Sequence, residues 1–136
     1  MAPQMKRIIP LSFAVVFAAL PGLVQAQTYN LSGEWEAPFT TDYGFRVEQA
    51  RIRQNGNSVQ ATKLTGDEYV PAGTMNVRGV FNSNPFAAEQ VCAGLGLEGA
   101  HWEKITITVL DRDHFKVTGG CSGDVIWKRL PGPHIS

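Results

Sequence analysis

The chain of 136 residues is predicted to be all-β, a small antiparallel β-barrel of seven or eight strands. Apolar and polar residues alternate with a period of two along most of the sequence after residue 27, as in strands that bury one face. Turn-forming residues interrupt this alternation roughly every 8–12 residues, a spacing typical of barrels and sandwiches. A barrel is favoured over a two-sheet sandwich because closure removes exposed strand edges.

Residues 1–26 are interpreted as a secretory signal peptide that is removed, which leaves 27–136 as a single barrel domain. Two basic residues precede a mostly apolar run at 8–20, and the small residues at 24–26 suit cleavage. This run of about 13 residues is shorter than the roughly 20 that cross a bilayer, so a membrane anchor is the weaker alternative. The protein is therefore expected to be secreted or periplasmic.

Four strands are predicted in the first half of the domain, at 31–36, 45–53, 59–66 and 75–81. In the second of them, the apolar positions change phase by one residue between Val47 and Ala50. A β-bulge is predicted near Glu48 and Gln49, because an extra residue would restore the buried face. Residues 54–57 are predicted to form a hairpin turn, since Asn-Gly accepts the positive φ values of a two-residue loop.

The second half of the domain is predicted to contain three further strands, at 102–110, 115–117 and 125–129. Along the first of these, Ile105, Ile107 and Val109 share one face. Residues 86–93 are rich in helix-tolerant alanine, glutamate and glutamine, and they are predicted to form one or two turns of helix. Loops or turns are predicted at 82–85, 94–99, 111–114 and 119–123.

Both cysteines, Cys92 and Cys121, lie in the exported part of the chain, and a disulfide between them is predicted for an oxidising compartment. It would close a loop of about 30 residues and stabilise the fold by roughly 3–4 kcal/mol. No CxxC pair is present and no histidine is near either cysteine in sequence, so a redox or zinc role is not expected. The bridge is interpreted as structural, and neither a metal nor a cofactor is predicted.

The charge of the domain is nearly balanced. Residues 27–136 contain 10 lysines and arginines against 12 aspartates and glutamates, a net charge of −2. A nucleic-acid partner is not expected, because such binding needs a basic surface that replaces counterions. The same balance argues against an anionic membrane surface.

The triplet Gly33-Glu34-Trp35 resembles the G-x-W opening of lipocalin-like (calycin) barrels. In that family the tryptophan closes one end of the barrel, and an arginine from the last strand packs over it. Arg129 lies where such an arginine would fall. The resemblance implies a structural role for Trp35 and Arg129, with a cation–π contact of about 1–2 kcal/mol. The domain is shorter than the usual lipocalin and carries no second lipocalin motif.

No constellation of catalytic residues emerges, and the protein is not expected to be an enzyme. His101, His114 and His134 lack a set of partners at metal-ligand spacing. A zinc site assembled from distant strands is an alternative that spacing does not test. The carboxylates are dispersed, with nothing that pairs two of them across a cleft. Residues 120–123 lack the spacing of a nucleophile turn.

Four aromatic residues fall in or beside predicted loops and are candidate ligand contacts: Phe39, Tyr43, Tyr69 and Phe86. The leading hypothesis is a non-catalytic module that binds a small apolar or amphipathic molecule at the mouth of the barrel. These rings could equally shield the core. The alternative is an inhibitor or interaction partner of an exported enzyme, such as a protease or a lysozyme, with residues 27–31 as the candidate contact.

Overall fold

The computed structural model describes residues 29–41, 44–66, 70–93 and 99–132. These residues form eight strands: β1 (Gly33–Thr41), β2 (Gly44–Asn55), β3 (Ser58–Lys63), β4 (Met75–Val80), β5 (Phe86–Cys92), β6 (His101–Asp111), β7 (His114–Gly119) and β8 (Val125–Arg129). No helix long and apolar enough to cross a membrane lies within the described ranges. The predicted signal peptide at 1–26 lies outside them.

The strands form a closed antiparallel barrel in chain order. Each strand pairs with the next one, and β8 pairs with β1. The predicted all-β barrel is therefore confirmed, with eight strands. In β6, Ile105, Ile107 and Val109 are buried while the residues between them face outward. Branched side chains suit this half-buried, pleated surface, so local preference and tertiary burial agree there.

Residues 86–92 form strand β5, so the predicted helical turns are wrong. β5 pairs with β6 along its whole length, from Phe86 to Cys92. Phe86, Ala88 and Cys92 are buried, and this period of two gives the strand an inner face. The ladder with β6 and the burial of that face outweigh the weak helix preference of the local sequence.

The bulge predicted near Glu48 and Gln49 is also wrong. β1 and β2 pair in unbroken register over the whole length of β1. The alternation of β2 simply continues, so Phe45 and Val47 face outward. The register shifts lie elsewhere, between β3 and β4 and between β6 and β7.

The barrel interior is filled by side chains and contains two groups of aromatic rings. The centre of the Phe115 ring lies 4.7 Å from that of Trp35 and 6.0 Å from that of Trp127. The rings of Phe81 and Phe86 stack at 4.8 Å. Such pairs add to the burial of apolar surface that stabilises the core.

The two ends of the barrel differ. The closed end contains the start of β1 and the turns after β2, β4 and β6, and residues 29–32 lie against it. At the other end, β1 and β2 continue as a hairpin beyond their described pairing with β8 and β3. Within the described residues, β8 pairs with β1 only at Trp35 and Glu36, and β3 pairs with β2 only from Ala50 onward. We call residues 38–41 and 44–47 the β1–β2 arm, and this end the arm end.

Candidate functional site

Arg129 holds the closed end together over Trp35. Its Cζ atom lies 4.4 Å from the centre of the indole ring. The guanidinium donates hydrogen bonds of 2.7–2.9 Å to the carbonyl oxygens of Ser32, Asn30 and Arg112. One side chain thus joins the N-terminal segment to the turn between β6 and β7. This is the contact that the resemblance to calycin barrels implied.

Gly33 is required by this closure. Its φ of +138° lies in a region that favours glycine. A Cβ atom at this position would lie 2.9 Å from Nη1 of Arg129, and that nitrogen is fixed by its bond to a carbonyl. The glycine and the tryptophan of the triplet therefore serve the same arrangement.

The N-terminal segment packs into the closed end instead of projecting from it. Leu31 is only 1% exposed, and its N–H donates to Oε1 of Gln54 at 2.9 Å. Tyr29 packs against the core. Of the candidate inhibitor segment 27–31, residues 29–31 thus belong to the barrel, while 27 and 28 lie outside the described residues.

Among the described side chains, the interior leaves almost no free space for a ligand. An apolar cavity between the sheet walls measures about 20 Å³, and a second one at the arm end measures about 10 Å³. A water molecule needs roughly 10–15 Å³ by the same measure, whereas ligand pockets usually measure about 300–1,000 Å³. A ligand of that size does not fit inside the described part of the barrel, and the predicted binding at its mouth stays a prediction.

The structure places two of the four predicted aromatic contacts, Phe86 and the backbone of Phe39, at opposite ends of the barrel. Phe86 is 2% exposed and belongs to the core at the closed end. Phe39 lies in the arm, at the opposite end of the barrel; its side chain, Tyr43 and Tyr69 lie outside the described part. All four proposed contacts stay predictions, and Phe86 does not share an end of the barrel with Phe39.

A polar group that the sequence did not predict lies inside the arm end. Oε1 of Glu48 accepts hydrogen bonds from Nζ of Lys63 at 3.2 Å and from Nδ2 of Asn76 at 3.3 Å. Asn76 is the extra residue of β4 at its register shift against β3, and it is 5% exposed. The bulge turns Asn76 inward, beside Val77. We call these three residues and Gln90 the inner polar group.

Two oxygens of the inner polar group have no hydrogen-bond partner among the described residues, Oδ1 of Asn76 and Oε1 of Gln90. Both side chains line the cavity of about 20 Å³. An unpaired buried acceptor costs roughly 1–3 kcal/mol. The cavity is large enough for one water molecule, which would donate to such oxygens.

Replacing Gln90 with methionine should leave the free energy of unfolding unchanged or raise it by up to about 1 kcal/mol. The substitution removes an unpaired acceptor and no hydrogen bond. Urea unfolding followed by circular dichroism measures the change. The comparison variant Glu48→Met should lose about 1–3 kcal/mol, because it removes the acceptor of the hydrogen bonds from Lys63 and Asn76. An equal loss in Gln90→Met would contradict the assignment of an unpaired oxygen.

Titratable side chains on the described part of the surface form separate pairs. His101 lies 3.0 Å from Glu103 at the arm end, and His114 lies 2.8 Å from Asp111 at the closed end. The hydrogen bond from His114 lowers the pKa of the Asp111 carboxyl. No group of three or more histidines, cysteines or carboxylates that could hold a metal lies within the described ranges.

The arm carries an exposed apolar surface. On its outer face Phe45 is 69% exposed and Val47 is 43% exposed. Pro38 and Thr40, their cross-strand partners in β1, are exposed as well. Scattered apolar side chains are common on protein surfaces. Phe45 and Val47, however, are neighbours on the outer face of one hairpin. Adjacent exposed apolar side chains of this kind are typical of a contact surface.

These features define a class of protein: a small, disulfide-bonded, closed antiparallel barrel of eight strands with a filled interior and a protruding arm. The fold and the closure of its end by tryptophan and arginine are consistent with a calycin-like barrel. No protein family, curated protein or solved structure matches the chain.

Proposed function

We propose that this protein is a non-catalytic binding module that contacts an exported protein, such as an enzyme that it inhibits, through the outer face of the β1–β2 arm. The observation that carries the proposal is the exposure of Phe45 and Val47 on a hairpin that extends past the barrel. Burying each side chain against a partner would contribute about 1.5–3 kcal/mol. Aromatic residues in such positions are frequent anchors of interfaces.

The small size of the interior cavities favours binding at the protein surface over binding of a ligand inside the barrel. Cavities of about 20 and 10 Å³ leave room for single water molecules. We infer from Gly33, Trp35 and Arg129 that this protein is a distant calycin-type barrel. Its binding surface in this proposal is the arm and not the interior of the barrel. Export to the periplasm or the outside is part of the proposal, and the Cys92–Cys121 disulfide supports it.

Photo-crosslinking tests this function on the exported protein expressed from the full chain. A benzophenone amino acid in place of Phe45 should crosslink one protein from the exported fraction of the source organism. The matched control carries it in place of Val80, a 53% exposed residue at the end of β4, at the opposite end of the barrel. The control should yield no such product. Equal crosslinking at both positions, or none at either, would contradict a binding role of the arm.

A further inference from the structure

At the β2 edge of the arm, the backbone groups of the two residues with exposed side chains have no partner among the described residues. Toward β3, the last hydrogen bonds of β2 involve Gln49, whose carbonyl oxygen accepts from the N–H of Leu64 at 2.9 Å. Successive residues of an antiparallel strand direct their backbone groups to alternate sides. The backbone N–H and C=O groups of Phe45 and Val47 therefore point to the same side of β2 as those of Gln49. No described residue pairs with them there.

The opposite edge of the arm is blocked. The carbonyl oxygen of Glu34 accepts from the N–H of Leu130 at 2.8 Å, so even-numbered residues of β1 direct their backbone groups away from β2. Pro38 is one of them and has no N–H to donate. Proline at an edge prevents the addition of another strand. An added strand would therefore pair with β2.

The other face of the β2 edge carries a positive charge that no described carboxylate pairs with. Arg46 lies between Phe45 and Val47 and is exposed. Within the described ranges it makes no ion pair with a carboxylate. Opposite charges directly across two strands attract each other, and like charges repel each other. A second copy of this chain paired about a two-fold axis at Arg46 would place this arginine against itself, so a different partner is favoured.

We propose that the β2 edge of the arm accepts an extended strand of a partner protein in which an acidic residue lies between two apolar residues. The acidic side chain would face Arg46, and its two neighbours would cover Phe45 and Val47. Backbone hydrogen bonds would supply affinity, and the alternating side chains would supply specificity. This inference rests on the proposed function of the arm and names the chemistry of its partner.

Two fluorescent peptides test the proposal on the exported protein. The sequences are Val-Thr-Val-Glu-Val-Thr-Val and Val-Thr-Val-Lys-Val-Thr-Val, each with a soluble polyether tag. The glutamate peptide should bind about tenfold more tightly, as measured by anisotropy, because only it can pair with Arg46. Arg46→Glu should reverse the preference. Equal binding of the two peptides, or binding of neither, would overturn the inference.

A pair of protein variants tests the role of the backbone edge. Val47→Pro removes the free N–H and the side chain, whereas Val47→Ala removes only most of the side chain. The proline variant should bind the glutamate peptide at least about fivefold more weakly than the alanine variant. The N–H of residue 47 does not pair with β1, so both variants should keep the same circular dichroism spectrum. Equal affinities would exclude strand addition.

The two proposals fail in different ways. If position 45 crosslinks but the two peptides bind equally, the arm remains a binding surface, and the proposal of an acidic partner strand is overturned. Sedimentation that shows a dimer, together with loss of this dimer in Val47→Pro, would assign the edge to a second copy and also overturn the inference. Absence of crosslinking would contradict the proposed function itself.

Discussion

Replacing Trp35 with alanine should lower the free energy of unfolding by about 3–5 kcal/mol, the usual cost of truncating a large buried aromatic residue. Trp35 is 0% exposed, and its Nε1 donates to the carbonyl oxygen of Leu31 at 2.9 Å. Its ring contacts Phe115 and lies beneath Arg129. The substitution would leave a cavity and also detach the N-terminal segment. Urea unfolding monitored by circular dichroism measures the loss.

Trp35→Phe is the matched control for the same site. It keeps an aromatic ring in the core but removes the donor to Leu31, so a loss of about 1–2 kcal/mol is expected. The difference between the two variants gives the contribution of the ring that phenylalanine retains. A loss below about 1 kcal/mol in Trp35→Ala would show that the core at the closed end does not depend on this ring.

The parts of the fold that the sequence predicted are those in which local pattern and tertiary burial agree. Ile105, Ile107 and Val109 alternate with polar residues and enter the core. Gly33 and Trp35 were interpreted through a resemblance, and the structure gives its physical reason, since the glycine leaves room for Arg129. In β5 the same kind of reasoning failed, because pairing with β6 decides the conformation of a segment that locally tolerates helix.

The arm could not be predicted because its signal has two physical explanations. A change of apolar phase between Val47 and Ala50 fits either a bulge or an exposed apolar face. The choice depends on where β3 and β8 stop pairing with their neighbours, and this is a non-local property. The inner polar group was missed for the same reason, since the bulge in β4 that turns Asn76 inward leaves no mark in the sequence.

Loss of the Cys92–Cys121 disulfide should lower the free energy of unfolding by about 3–4 kcal/mol. The bond joins residues 29 apart, and a cross-link of that span restricts the unfolded chain by roughly this amount. It ties the end of β5 to the segment before β8. There Gly120 lies so close to the inner polar group that a Cβ atom would be 2.5 Å from Oε1 of Gln90.

The loss should appear equally in the reduced protein and in the double variant Cys92→Ala, Cys121→Ala, measured by urea unfolding. Reductant should leave the double variant unchanged, which controls for effects of the reagent. Hydrogen exchange should accelerate first around residues 119–124 and at the end of β5, since the bond fixes those segments to each other. The arm carries neither cysteine, so its peptide binding should survive reduction in a folded sample. Identical unfolding midpoints with and without reductant would show that hydrogen bonds and packing alone hold the arm end.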